Sequence, residues 1–93
     1  MTVTSKQLGI IADDLSGAIE CAAVCRRMGH QAVVLTHIPE SNQPGPAQAS
    51  VIVVVTDSRH LPSITARHRL NAAARWLMRQ GIDSFYKKTD SAA

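Results

Sequence analysis

The run Val51-Ile52-Val53-Val54-Val55-Thr56 constrains this chain more than any other feature. It is almost wholly β-branched, so it reads as a strand. It is also apolar at consecutive positions instead of alternate ones. A strand that shows water neither face belongs in a sheet covered on both sides, which is the habit of parallel α/β sheets. Leu8-Gly9-Ile10-Ile11-Ala12 repeats the signal more briefly. Gln31 to Thr36, with Ala-Val-Val-Leu inside it, and the shorter Ile82 to Tyr86 complete four expected strands.

Between them lie two helical patterns. After Asp13-Asp14-Leu15-Ser16-Gly17, a helix should run to about Met28, with Gly17, Ala18, Cys21, Ala22, Val24, Cys25 and Met28 on its buried side. Asp14 or Ser16 can cap its start, and Gly29 suits the left-handed residue that ends it. Pro62 and Ser63 open the second helix, whose buried stripe is Ala66, Leu70, Ala73, Ala74 and Leu77; Arg67, Arg75 and Arg79 face outward, and Gly81 stops it. His37 to Ser50 carries Pro39, Pro44, Gly45 and Pro46 and reads as a loop.

The expected fold class is therefore α/β, an open and mostly parallel sheet with flanking helices in the order β-α-β, loop, β-α-β. Right-handed crossovers put the two helices on opposite faces, and a strand order of 2-1-3-4 satisfies them. Four strands about 4.8 Å apart make a sheet roughly 19 Å wide. A helix about 10 Å across covers about two of them. Two helices thus leave half of each apolar face bare, which normally marks an interface or further chain. Residues 1–93 are expected to be the N-terminal portion of a larger domain, or to pack against an oligomer partner.

Composition narrows the function classes. The chain is 45% hydrophobic and 18% charged, which fits a folded domain and not a disordered one. Its formal charge of +3 comes without a dense basic run, and its single Phe, Trp and Tyr do not interleave with cations, so nucleic acid is not an expected partner. No apolar run approaches the roughly 18 residues that span a bilayer, so no membrane is expected and the cytoplasm is the default compartment. Cys21 and Cys25, spaced C-x3-C, suggest structural thiols. The four histidines lack metal-ligand spacing, and neither a G-x-x-x-x-G-K-[ST] nor a G-x-G-x-x-G loop occurs.

Ligands of open parallel sheets bind beyond the carboxyl ends of the strands, where strand order reverses. Strand one delivers Asp13 and Asp14 to that edge. Strand three delivers Thr56, Asp57, Ser58 and Arg59, and strand four delivers Lys87, Lys88 and Asp90. Arg offers a planar fork for a carboxylate or phosphate and Lys a point charge. Backbone N–H groups near Gly17 add anion affinity at a helix start. A carboxylate beside them could take a proton from a substrate hydroxyl. Small hydroxy acids or phosphorylated sugars suit such a site. The bland alternatives are a helix cap for Asp14, an ion pair for Asp13, turn chemistry for Asp57 and Ser58, and a solvated strand end for the lysines.

Three segments, Ile10-Ile11-Ala12-Asp13-Asp14-Leu15-Ser16-Gly17-Ala18, Val55-Thr56-Asp57-Ser58-Arg59 and Tyr86-Lys87-Lys88-Thr89-Asp90-Ser91, together resemble the N-terminal domain of the four-carbon acid sugar kinases. The resemblance implies that this domain holds a sugar acid of the threonate, erythronate or 2-oxo-tetronate type while a separate C-terminal domain holds ATP and Mg2+. It implies that Asp13, Asp14, Ser58, Arg59, Lys87, Lys88 and Asp90 face the substrate. Asp13 and Asp90 are then the candidates for proton transfer, and the choice of base stays open. The family's chain is several times longer and its third motif continues through Leu-Arg-Gly. A chain ending at Ala92-Ala93 is therefore expected to lack the ATP domain, to bind no cofactor itself and to be inactive alone. Two other readings remain: a phospho-accepting receiver-like module, which needs a helix between strands two and three, and a non-catalytic interaction protein that uses its uncovered sheet faces.

Overall fold

The structure, a computed structural model, describes residues 7–82 and 84–88. Its elements are β1 (Leu8–Ala12), α1 (Leu15–Arg27), β2 (Ala32–Leu35), β3 (Val51–Val55), α2 (Ser63–Arg79) and β4 (Phe85–Lys88). All pairings are parallel, and the α/β class is as the apolar runs imply. The segment between β2 and β3 is loop, without the helix a receiver-like module needs.

The strand order is β2-β3-β1-β4, not 2-1-3-4. Each crossover skips one strand: β1 reaches β2 over β3, and β3 reaches β4 over β1. Both orders put the helices on opposite faces, so handedness cannot separate them. Burial does. In the observed order both helices lie over the centre of the sheet. Val51, Val53 and Val55 pack with Ala18 and Ala22 of α1, while Ile52 and Val54 pack with Ala73, Trp76 and Leu77 of α2. β3, the most apolar strand, is at most 4% exposed at every residue. The alternative order would leave its α1-side face bare.

Both helices end in the same way. Gly29 (φ 92) and Gly81 (φ 84) adopt the left-handed conformation that glycine accepts without strain. Gly29 N–H donates to Arg26 O and His30 N–H to Cys25 O; Gly81 N–H donates to Met78 O and Ile82 N–H to Leu77 O. This is the paired-carbonyl stop described for glycine-ended helices, and Ile82 completes it by packing near Leu77 in the core. Ile82 is thus the end of α2 and not the start of a strand. β4 begins three residues later than expected and takes in Lys87 and Lys88.

The buried stripe of α1 is Ala18, Cys21, Ala22 and Cys25. Val24 and Met28, expected inside, are 46% and 70% exposed. Val24 borders the part of the sheet that α1 leaves open, where a groove of about 550 Å³ runs between α1 and Tyr86 of β4. Burial pushes the Cys21 thiol above its ordinary pKa, which suits an inert core thiol. Trp76, absent from the expected stripe, is 1% exposed. Its indole Nε1–H donates to Gln43 O at 2.9 Å, and Gln80 Oε1 accepts from Gly45 N–H at 3.0 Å, so the Pro-rich loop is clamped to α2.

Two substitutions separate packing from clamping. Leu77→Ala, at a fully buried site, should cost about 2–5 kcal/mol. Trp76→Phe keeps most of the packing but loses the bond to Gln43, and should cost only about 1 kcal/mol more than the lost ring volume. Urea unfolding midpoints should rank the chains wild type, Trp76→Phe, Leu77→Ala.

Candidate functional site

The polar groups gather where β1 and β3 lie side by side and their connections leave for opposite faces, α1 on one side and α2 on the other. The pairing does not stop with the strands. Thr56 N–H donates to Ala12 O and Ser58 N–H to Asp13 O, both at 2.9 Å, while Asp13 N–H donates to Lys88 O at 3.3 Å. The residues after each strand are therefore held in register by backbone bonds and not left to a mobile loop. Thr56 Oγ1 donates to Ala12 O at 3.3 Å and lies 2.8 Å from Ser58 Oγ; both side chains are buried. Ser58 thus supports the edge from within.

Asp57 turns outward. Its φ of 51 is a left-handed value that Asp tolerates, and its side chain is exposed. It lines neither of the clefts described below. Arg69 Nη1 donates to the carbonyl oxygens of Thr56 and Asp57, each at 3.1 Å, and so braces this turn from α2.

Asp14 has two tasks. Its Oδ1 accepts from Gly17 N–H at 2.8 Å, which caps α1, and its Oδ2 accepts from Arg59 Nη1 at 2.9 Å. The Gly17 bond first, then the Arg59 bond and the nearby positive charges, hold the Asp14 carboxyl below its ordinary pKa. With both oxygens engaged, Asp14 is a positioning residue for Arg59, whose side chain is 47% exposed. A Cβ at position 17 would lie 3.0 Å from Asp14 Oδ1, so glycine there lets the carboxylate close on the helix start.

The edge opens as two clefts. The α1-side cleft, about 240 Å³, is lined by Asp13, Asp14, Ser16, Gly17, Glu20, Arg59 and Lys88. The α2-side cleft, about 320 Å³, includes Asp13, Ser58, Arg59, Arg67 and Lys87 in its wall. Asp13 and Arg59 border both. The two lysines, expected at one strand end, are separated by the pleat: Lys88 pairs with Ala12 on the α1 face, and Lys87 with Ile11 on the α2 face. Asp90 lies outside the described residues. Glu20, Arg67 and Arg69 escaped the sequence reading because each sits mid-helix, where helical periodicity marks only an outward face.

Residues 8–93 match the family described as the sugar-binding N-terminal domain. The chain belongs to that family. Curated relatives of this sugar-binding domain include 3-oxo-tetronate kinases. The chain is 35% identical over 81 residues to that of Pseudomonas savastanoi pv. phaseolicola, covering 87% of this chain and 19% of the relative. It is 33% identical over 82 residues to that of Escherichia coli (88% and 21%), and 38% identical over 82 residues to that of Pectobacterium atrosepticum (88% and 19%). The sugar-binding domain described here thus spans about a fifth of the length of these relatives. A crystal structure from Salmonella typhimurium, described as a putative tRNA synthase, superposes with a TM-score of 0.82 at 29% identity over 89% of this chain and 20% of its own.

The Asp14 pair has a measurable signature. A carboxyl with a folded pKa below the unfolded value adds stability that is present above the unfolded pKa and lost as pH falls through the folded one. In wild type that loss should begin below about pH 3.8, the group's ordinary value. Arg59→Ala should move the Asp14 carboxyl titration upward, but not fully back to 3.8, because the Gly17 N–H bond remains. A carbon-detected NMR titration of both chains checks this.

Proposed function

We propose that this chain is the substrate-holding portion of a kinase that phosphorylates a four-carbon sugar acid of the 3-oxo-tetronate, threonate or erythronate type. The observation that carries the reading is the meeting of Asp13, Asp14, Arg59 and Lys88 around one cleft, in a sugar-binding domain whose relatives include kinases for such a compound. The relatives' names say which acceptor they use, and their similarity to this chain supports the same class here.

Each side chain has a task in this proposal. Arg59, oriented by Asp14, contacts the substrate carboxylate. Lys88 adds a point charge and packs near Gly17 at the start of α1. Carboxylates at the cleft wall accept hydrogen bonds from sugar hydroxyls. Asp13, half-buried at the end of β1, takes the proton of the hydroxyl to be phosphorylated. Asp90 is the alternative base.

ATP is the proposed phosphoryl donor, with Mg2+ as its partner. Among the described residues no group of three or more His, Cys, Asp or Glu side chains is placed to hold a metal. No step is derived through that ion. Donor binding is assigned to sequence beyond this chain, in keeping with the length of the relatives. The exposed apolar side chains that line the α1 groove, Val24 and Tyr86, support a reading in which further chain or a second subunit covers that face. No helix among the described residues is long and apolar enough to cross a membrane, and a cytoplasmic enzyme is proposed.

Calorimetric titration of the chain with 3-oxo-tetronate, threonate and erythronate, with succinate as control, tests the proposal. Selective binding should weaken by about 1.5–3 kcal/mol in Arg59→Ala, the worth of a charged hydrogen bond, and stay unchanged in Arg79→Ala at the far end of α2. A folded chain that does not distinguish the sugar acids from succinate would sink the reading.

A further inference from the structure

The two clefts at the sheet edge differ in charge. Around the α1-side cleft stand three carboxylates, Asp13, Asp14 and Glu20, against Arg59 and Lys88. Among the described residues around the α2-side cleft stand Arg67 and Lys87, together with Arg59, which Asp14 already pairs, against the carboxylate of Asp13. The cations come from three elements: the β3–α2 turn, the second turn of α2 and β4. Among the described residues neither Arg67 nor Lys87 has a hydrogen-bond or ion-pair partner, although a solvated surface with both signs normally intersperses them. Cations converging on one concavity give it a positive potential that favours an entering anion.

The start of α2 adds to this charge. α1 is capped by the Asp14 carboxylate, but α2 begins at Pro62, which makes no side-chain cap, and its first turn carries no acidic residue. The first intrahelical bond from this end is Ala66 N–H to Pro62 O. The preceding N–H groups, at the positive end of a 17-residue helix, border the cleft through Ser63. Ser63 places a hydroxyl in the same wall.

We infer that the α2-side cleft is an oxyanion site distinct from the sugar-acid cleft, and that its ligand is a phosphate group, carried either as free inorganic phosphate or on a phosphorylated small metabolite. A planar carboxylate is satisfied by one guanidinium fork. Arg67 and Lys87 on separate elements, with Arg59 at the border, the Ser63 hydroxyl and a helix start, match instead a group of higher charge with oxygens pointing in several directions. The inference stands on Arg67 and Lys87 and does not depend on the kinase reading.

The test is calorimetric titration of the 93-residue chain, in a phosphate-free buffer of fixed ionic strength, with three probes: inorganic phosphate, a four-carbon sugar-acid phosphate and the unphosphorylated sugar acid. Phosphate or the sugar-acid phosphate should bind with one-to-one stoichiometry. Arg67→Gln and Lys87→Gln should each weaken that binding about tenfold, as loss of one charge-assisted bond implies. Arg67→Lys should restore part of it, and Arg75→Gln, which removes the same charge from the same helix, should not change it. Circular dichroism confirms that each variant is folded. Binding of inorganic phosphate identifies the free ion as sufficient; binding of the sugar-acid phosphate alone identifies the metabolite-borne group. The inference is overturned if a folded chain binds neither phosphate probe, if Arg75→Gln weakens binding as much as Arg67→Gln, or if Arg67→Gln abolishes binding of the unphosphorylated acid while phosphate does not bind. The last result would make the cleft a carboxylate seat. Sugar-acid binding that survives Arg67→Gln, with no phosphate binding, would sink this inference and leave the proposed function intact.

Discussion

The pairing of β1 with β3 is the contact on which the rest of the molecule depends. It joins the two most apolar strands at the centre of the sheet, and it continues beyond both strands through Thr56 to Ala12 and Ser58 to Asp13. Because the chain leaves these two strands toward opposite faces, the seam ends in a crevice. A crevice bounded by backbone hydrogen bonds can hold charged side chains at fixed separations, which a free loop cannot do. Every polar group of the candidate site is attached to this seam, to β4 beside it, or to a helix that starts from it.

The same seam explains why the site is divided. The pleat sends consecutive side chains of β4 to opposite faces, so Lys87 and Lys88 serve different clefts although they are adjacent in sequence. Asp13 and Arg59 stand at the end of the seam and border both. Asp14 then fixes which way Arg59 reaches, at the cost of its own availability to a ligand. The result is one edge with two electrostatic characters: carboxylate-rich where hydroxyls can donate, and cation-rich where an oxyanion can be held.

Stability and site formation are linked through the helices. α1 is started by Asp14, a site residue, and braced against the sheet by small side chains, Ala18 and Ala22, that let it approach closely. α2 carries the larger anchors, Trp76 and Leu77, and through Trp76 and Gln80 it also secures the Pro-rich loop. Arg69 returns from α2 to brace the turn that presents Arg59. Loosening either helix would therefore disturb the edge as well as the core.

Local sequence was enough to determine the class of fold, the existence of four strands and two helices, the glycine stops at 29 and 81, and the gathering of Asp13, Asp14, Arg59 and the lysines at one sheet edge. Each of these follows from short-range physics: continuous β-branched runs, helical spacing, left-handed backbone at glycine, and polar residues just after buried strands. The order of strands was not legible, because 2-1-3-4 and 2-3-1-4 both obey the handedness rule and differ only in which faces the helices cover. The separation of Lys87 from Lys88 depended on where β4 begins, and that was set by Ile82 folding back to finish α2. The exposure of Val24 and Met28, the burial of Trp76, and the approach of Arg67 to the α2-side cleft are likewise consequences of how distant segments pack. Periodicity can say that a residue faces away from its own helix axis; only the tertiary structure decides what it then meets.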